Sequence, residues 1–128
     1  MNAHLLLAVF HLVAIVPFFL YVGFQRAATP DWAYNLLFGL GLFMLAYHGM
    51  KSIVRYYAQS PAIWINLIHT FIIAPLLIWI GYQGKKTGRP AYEMLLMTAF
   101  AALGYHLKSL IEVVNTFGIK GVAHEDDD

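Results

Sequence analysis

The chain has no cysteine, and only 12% of its 128 residues are charged. The lack of cysteine excludes disulfides, thiolate metal sites and cysteine nucleophiles. A net charge of +1 provides no basic excess of the kind that binds nucleic acid, so no nucleic-acid partner is predicted. Hydrophobic residues make up 60% of the chain, more than so short a chain can bury in a water-facing core. The excess apolar surface therefore predicts contact with a lipid bilayer.

Four apolar stretches each approach the length of a membrane crossing: Leu5–Phe24, Trp32–Gly49, Ile63–Tyr82 and Tyr92–Leu107. A helix of about 20 residues crosses the ~30 Å of hydrocarbon, and lipid offers no partners for unpaired backbone groups. Prolines stand where first helical turns tolerate them, at Pro30, Pro61 and Pro90. Aromatic residues, Tyr34 and Tyr92 among them, mark the predicted helix ends. The sequence thus predicts an all-α, multi-pass integral membrane protein with four transmembrane helices.

These helices are expected to form a single domain over residues 1–118, followed by an acidic, solvated tail over 119–128. The loops are short, so consecutive helices should be antiparallel neighbours. Lysine and arginine residues are balanced between the two sides, which leaves the membrane topology open. The oligomeric state also stays open, a homo-oligomer included.

An internal repeat relates each residue to the one 58 positions later. Of the 38 positions from 11 to 48, 12 are identical to that later residue. The matches fall on distinctive residues rather than on common apolar ones: His11 and His69, Pro17 and Pro75, Gln25 and Gln83, Tyr34 and Tyr92, His48 and His106. The sequence therefore predicts two tandem helical hairpins, residues 4–57 and 62–115. Because each hairpin has an even number of helices, the expected architecture is a four-helix bundle with pseudo-twofold symmetry.

Four histidines are expected to share one depth in the membrane. His11 and His69 lie 18 residues before the hairpin tips at Thr29 and Thr87, and His48 and His106 lie 19 residues after them. At the helical rise, these separations place all four about 27–29 Å from the tips, on the side of the termini. Pro17 and Pro75 follow two of these histidines by six residues. Each removes a backbone hydrogen bond, so both helices are predicted to be kinked nearby.

Two interpretations of the histidines compete. They are packing residues that hydrogen-bond between helices, or they ligate haem b or a divalent transition metal, both of which imidazole binds well. For the second, the sequence predicts His48 and His106 as the main ligand pair, since Gly41 and Ala99, two turns away on the same faces, leave space for a flat cofactor. His11 and His69 would then orient the ligands or add to them. No catalytic residue is predicted, and enzyme activity is left open.

A second set of polar residues lies near the hairpin tips: Gln25, Gln83, Asn35 and Glu93. With the histidines they could line a polar path, which makes a small channel or proton-conducting protein the alternative to cofactor binding. A structural component of a viral or cellular membrane is the further alternative. The simpler interpretation of the four polar residues is that they lie at the membrane interface.

The run Ala91–Met97, with Gly104–Leu107 in the same helix and Ile68–Thr70 and Ala74–Ile78 in the one before, resembles small uncharacterised four-helix membrane proteins encoded by large DNA viruses. That resemblance implies a viral origin and no particular activity. By analogy alone, the placement of one histidine on each helix of a four-helix core is similar to that in haem proteins of the cytochrome b561 kind. There the haems lie on opposite membrane faces, whereas the four histidines here are predicted on one face.

Overall fold

The computed structural model describes the backbone of residues 3–125 and the side chains of residues 3–116. The described residues form four long helices and no strand: α1, Ala3–Ala28; α2, Asp31–Tyr57; α3, Ile63–Lys86; and α4, Arg89–Glu125. Each is long and apolar enough to cross a membrane. The four helices predicted from the apolar stretches are therefore confirmed. The predicted tail at 119–128 lies outside the residues whose side chains are described.

The helices are longer than the apolar stretches that predict them. The helix α2 continues eight residues past Gly49 to Tyr57, and α3 continues past Tyr82 to Lys86. Helical backbone hydrogen bonding continues through polar residues, whereas hydropathy marks only the part suited to hydrocarbon. The apolar stretches consequently give the number of helices but not their ends.

Neither α1 nor α3 is a regular α-helix throughout. Each contains one π-helical turn, at His11–Ile15 and at His69–Ile73. The backbone N–H of Val16 donates to the carbonyl oxygen of His11, five residues back, and that of Ala74 to His69. The proline that follows, Pro17 or Pro75, has no N–H to continue the α-helical pattern. The sequence located an irregularity in these helices, and the structure identifies it as a π-helical turn that begins at the histidine.

Contacts divide the chain into two compact units. Among the described residues, those up to Leu20 pack with those from Met97 onward, and Tyr21–Leu96 forms the other unit. In the latter, α2 and α3 approach each other closely at glycines. A Cβ at Gly81 would lie 2.6 Å from the backbone nitrogen of Phe38, and one at Gly41 would lie 2.9 Å from that of Ile78.

The same unit contains both hairpin tips. A short 3-10 turn ends each of α1 and α3, at Arg26–Ala28 and Gly84–Lys86. Lys85 Nζ donates to the carbonyl oxygens of Ala27 and Thr29, at 3.2 and 3.0 Å. The hydroxyl oxygens of Tyr34 and Tyr92 are 2.7 Å apart, and both side chains are buried. These two tyrosines stand near helix starts as predicted, but they belong to the core rather than to an exposed aromatic belt.

Candidate functional site

The four histidines form two stacked pairs, one in each unit. In the first histidine pair, the rings of His11 and His106 have centroids 4.2 Å apart and an interplanar angle of 21°. In the second histidine pair, the rings of His48 and His69 have centroids 4.3 Å apart, also at 21°. Each pair joins an irregular helix, α1 or α3, to a regular one, α4 or α2. The sequence placed these residue types on the helices but did not predict which would be in contact.

A hydrogen bond to its own helix fixes the orientation of one ring in each pair. His11 Nδ1 lies 2.8 Å from the carbonyl oxygen of Leu7, and His69 Nδ1 lies 2.6 Å from that of Ile65. A carbonyl oxygen only accepts hydrogen bonds, so Nδ1 carries the proton in both rings. In the neutral imidazole the lone pair is then on Nε2, the nitrogen that accepts a proton or binds a metal.

Asn66 supplies the corresponding hydrogen bond for a third ring. His48 Nδ1 lies 2.9 Å from Asn66 Oδ1, which can only accept. Asn66 is on α3, three residues before His69, and is 1% exposed. The sequence interpretation missed this residue, although an amide one turn before a histidine in an apolar helix is a signal that could have been used.

More polar side chains surround the second histidine pair. Ser52 lies one turn after His48, and Thr70 lies one turn after Asn66; both are buried. The hydroxyl of Ser52 donates to the carbonyl oxygen of His48, and that of Thr70 to the carbonyl oxygen of Asn66, each at 2.7 Å. We call His48, Ser52, Asn66, His69 and Thr70 the α2–α3 polar cluster.

The predicted cofactor space beside Gly41 is occupied in the structure. A Cβ on Gly41 would lie 2.8 Å from Ile78 Cγ1 and 3.0 Å from Leu77 Cβ. Ala99, its counterpart on α4, is fully buried. The small residue at Gly41 lets α3 approach, and no open face remains there for a flat macrocycle.

Of the predicted polar path, Gln25, Asn35 and Glu93 have exposed side chains and Gln83 is partly buried. Glu93 forms an ion pair with Arg89 Nε at 2.7 Å. Among these four described residues, no hydrogen bond or ion pair joins one to another. A channel along these residues stays a prediction.

The described part of the chain contains no group of three or more His, Cys, Asp or Glu side chains arranged to hold a metal ion. Each histidine pair could supply two imidazole ligands to a metal ion, one from each ring. Whether the four histidines share one depth, and whether His48 and His106 act together, stay predictions.

No protein-family model, curated protein or solved structure matches this chain. The functional argument therefore depends on the geometry of the histidine pairs and their surroundings.

Proposed function

We propose that this protein is a multi-pass integral membrane protein that binds a transition-metal ion through stacked histidine pairs. The membrane assignment is supported by the exposed apolar surface of its helices. In an 18-residue apolar window of each candidate span, only 17–33% of the residues are buried within the chain. Large apolar side chains such as Val13, Phe71 and Met97 are more than two-thirds exposed. Surface of this kind is unfavourable in water and is suited to lipid.

We further propose that the chain consists of two copies of one helical hairpin related by a pseudo-twofold axis. Support comes from structural features that recur 58 residues apart. The π-helical turns begin at His11 and His69, and the 3-10 turns begin at Arg26 and Gly84. The histidine contacts recur in the same way, because the repeat pairs His11 with His69 and His48 with His106. The first histidine pair and the second therefore join equivalent positions.

Metal binding is supported by the hydrogen bonds at Nδ1. Metal-ligating histidines almost always donate their other N–H to a backbone carbonyl, a carboxylate or water. His11, His48 and His69 each hold Nδ1 in such a bond, two to carbonyl oxygens and one to an amide oxygen. In His11 and His69, where the acceptor is a backbone carbonyl, this arrangement fixes the tautomer whose Nε2 can bind Zn²⁺, Cu²⁺ or Ni²⁺, the metals that imidazole suits. It is the observation that carries the proposal.

Of the two cofactors expected from the sequence, a metal ion fits better than haem. Two histidines that ligate one haem lie on opposite faces of the macrocycle. Rings stacked with centroids 4.2–4.3 Å apart leave no room for a macrocycle between them. A metal ion is smaller than a macrocycle, but binding it through both Nε2 atoms of a pair requires the two rings to leave their stacked arrangement. A centre with two protein ligands then keeps open coordination positions for water or a small ligand, unlike a closed structural site.

Metal content of the purified protein tests the proposal. The protein is expressed without a polyhistidine tag and purified in detergent, and its zinc, copper, nickel and iron are measured by mass spectrometry beside an absorbance spectrum. The control variant carries glutamine at all four positions, His11, His48, His69 and His106, and its helix content is checked by circular dichroism.

We expect stoichiometric metal in the wild type, none in the control, and no Soret band. A Soret band would indicate haem instead. A colourless, metal-free wild type would contradict the proposal, and bilayer current measurements would then test the channel alternative.

A further inference from the structure

A cleft opens beside the loop that joins α2 to α3. Its volume is about 420 Å³, which lies within the range of about 300–1,000 Å³ that is typical of ligand pockets. We call it the loop cleft, and it is lined by Arg55, Tyr56, Tyr57, Gln59, Ser60 and Ile63. It shares no lining residue with the histidine pairs, so any ligand that it holds is distinct from the proposed metal ion.

The residues around the loop cleft place it at the level of lipid headgroups. Ile53 and Val54, just before it on α2, are apolar and more than half exposed, which suits contact with hydrocarbon. Tyr56 and Tyr57 follow at the end of α2 and are exposed as well. Exposed tyrosines next to an exposed apolar segment are typical of the boundary between hydrocarbon and headgroups. Phospholipid phosphates are the anions that a bilayer presents at this depth.

Arg55 gives the loop cleft a positive charge that no protein carboxylate neutralises. Its Nη1 donates to the carbonyl oxygen of Ala62 at 3.1 Å, a bond across the loop that orients the guanidinium. The sequence has no aspartate or glutamate from position 32 to position 92, and neither ion pair of the described residues includes Arg55. A guanidinium has five N–H donors in a planar fork, so the bond to Ala62 leaves donors that can bind a phosphate.

Two further groups of the loop cleft can donate hydrogen bonds to the same ligand. The Ser60 hydroxyl oxygen accepts from the backbone N–H of Ala62 at 3.3 Å, which leaves the hydroxyl proton to donate. Gln59 adds a side-chain amide with two N–H donors. Its backbone φ is 51°, a left-handed conformation that glycine adopts after a helix end without strain. Strained backbone of this kind is concentrated at ligand sites.

We infer that the loop cleft binds the phosphate group of a phospholipid from the surrounding bilayer. The Arg55 guanidinium, the Ser60 hydroxyl and the Gln59 amide donate to phosphate oxygens, while Ile63 and the tyrosine rings contact the carbon atoms beside the phosphate. This inference rests on the membrane assignment of the proposed function and does not depend on metal binding.

The bond to Ala62 also offers a purely structural role for Arg55. A basic side chain near the C-terminus of a helix stabilises that end by bonding carbonyl oxygens and by its charge. A structural role alone predicts that the loss of Arg55 lowers stability equally in every lipid. The lipid site predicts that the same loss lowers the affinity for lipids that carry a phosphate.

Native mass spectrometry of the full chain in detergent, titrated with lipid, gives the number of bound lipids and the dissociation constant. Phosphatidylglycerol is the probe, because its phosphate is its only charge, and diacylglycerol with the same acyl chains is the phosphate-free control. Arg55→Gln removes the guanidinium. The matched variant is Lys108→Gln, which removes a positive charge that is paired with Glu112. If Arg55→Gln does not fold, Arg55→Lys replaces it, because lysine keeps the charge and loses the planar fork.

We expect one tightly bound phosphatidylglycerol per wild-type chain, much weaker binding of diacylglycerol, and unchanged binding in Lys108→Gln. Arg55→Gln should lower the affinity for phosphatidylglycerol by roughly tenfold or more, and Arg55→Lys should lower it by less. Equal affinities for the two lipids, or an unchanged affinity after the loss of Arg55, would overturn the inference. Inorganic phosphate that binds the wild type as tightly as the lipid would overturn the assignment to a phospholipid.

Gln59→Gly separates backbone strain from binding. We expect the midpoint of thermal unfolding to rise, because glycine adopts the positive φ without steric cost, and the affinity for phosphatidylglycerol to fall, because a donor is lost. An affinity that does not fall would overturn the role of Gln59. A protein that leaves membranes without detergent would overturn the membrane assignment and this inference together, whereas failure of the lipid tests alone leaves the proposed function standing.

Discussion

Three helical glycines differ in what surrounds them. This difference predicts how the replacement of each by alanine changes the free energy of unfolding. A Cβ at Gly81 would lie 2.6 Å from the backbone nitrogen of Phe38, whereas the nearest atom to one at Gly23 would be in the flexible side chain of Leu96, at 2.5 Å, and the nearest backbone atom would be 3.5 Å away. A Cβ at Gly39 would have nothing within 4 Å. Backbone cannot move aside without shifting a helix, but a side-chain terminus can change rotamer.

We expect Gly81→Ala to lower the free energy of unfolding by about 1–3 kcal/mol, and Gly23→Ala to lower it less. Gly39→Ala should be neutral or stabilising, since alanine favours a helix over glycine by about 1 kcal/mol. Thermal unfolding in detergent, followed by circular dichroism, measures all three. Equal effects at Gly81 and Gly39 would contradict the close approach of α2 and α3.

At the scale of elements, the turn that ends α1 contains a residue with unfavourable backbone geometry. Arg26 has φ of 53°, a left-handed conformation that costs a residue with a side chain about 1–2 kcal/mol. Gly84, 58 residues later at the end of α3, has φ of 56°. Glycine adopts this conformation without the steric penalty. The positive φ is therefore occupied by glycine in the turn that ends α3, and by arginine, which is strained there, in the turn that ends α1.

Arg26→Gly should therefore raise the free energy of unfolding by about 1 kcal/mol, because it removes the strain of the positive φ. The control is Ala27→Gly, at the neighbouring position, where glycine relieves no strain and only adds freedom to the unfolded chain. The midpoint of thermal unfolding in detergent should rise in the first variant and not in the second. A midpoint that rises in neither variant would mean that the Arg26 side chain stabilises the fold by as much as its positive φ destabilises it.

The π-helical turns of α1 and α3 show what the sequence could and could not predict about an element. Pro17 and Pro75 predicted an irregularity, because proline cannot donate a backbone hydrogen bond. The wider turn itself, starting at His11 and at His69, could not be predicted, since several local geometries accommodate a proline. The ring contacts were equally beyond the sequence, because each joins a histidine at such a turn to one on a neighbouring regular helix.

For the whole molecule, helix number and type followed from composition and apolar stretches, because lipid-spanning segments have a fixed length and must be helical. The pairing of His11 with His106 and of His48 with His69 did not follow. Sequence periodicity gives the face on which a residue lies, but not the helix that covers that face. Asn66 was missed for a related reason: its importance comes from the neighbouring helix, where His48 is its partner.

The proposed duplication allows a comparison of what the two histidine pairs share and what they do not. Both have stacked rings and an Nδ1 bond to the carbonyl oxygen four residues back. Only the second has a buried amide with an unsatisfied atom. Under the proposed duplication, both copies keep the ring geometry, and the polar groups around it differ between the copies.

X-ray absorption of the zinc-loaded protein tests the central claim, metal binding by stacked histidines, most directly. The metal-stripped protein in detergent is loaded with less than one equivalent of zinc, washed free of unbound metal, and measured at the zinc edge. We expect two imidazole nitrogens at about 2.0–2.1 Å, with oxygen ligands completing the coordination. Zinc bound by oxygen alone, or no zinc retained after washing, would contradict the claim and leave the stacked histidines as packing contacts between helices.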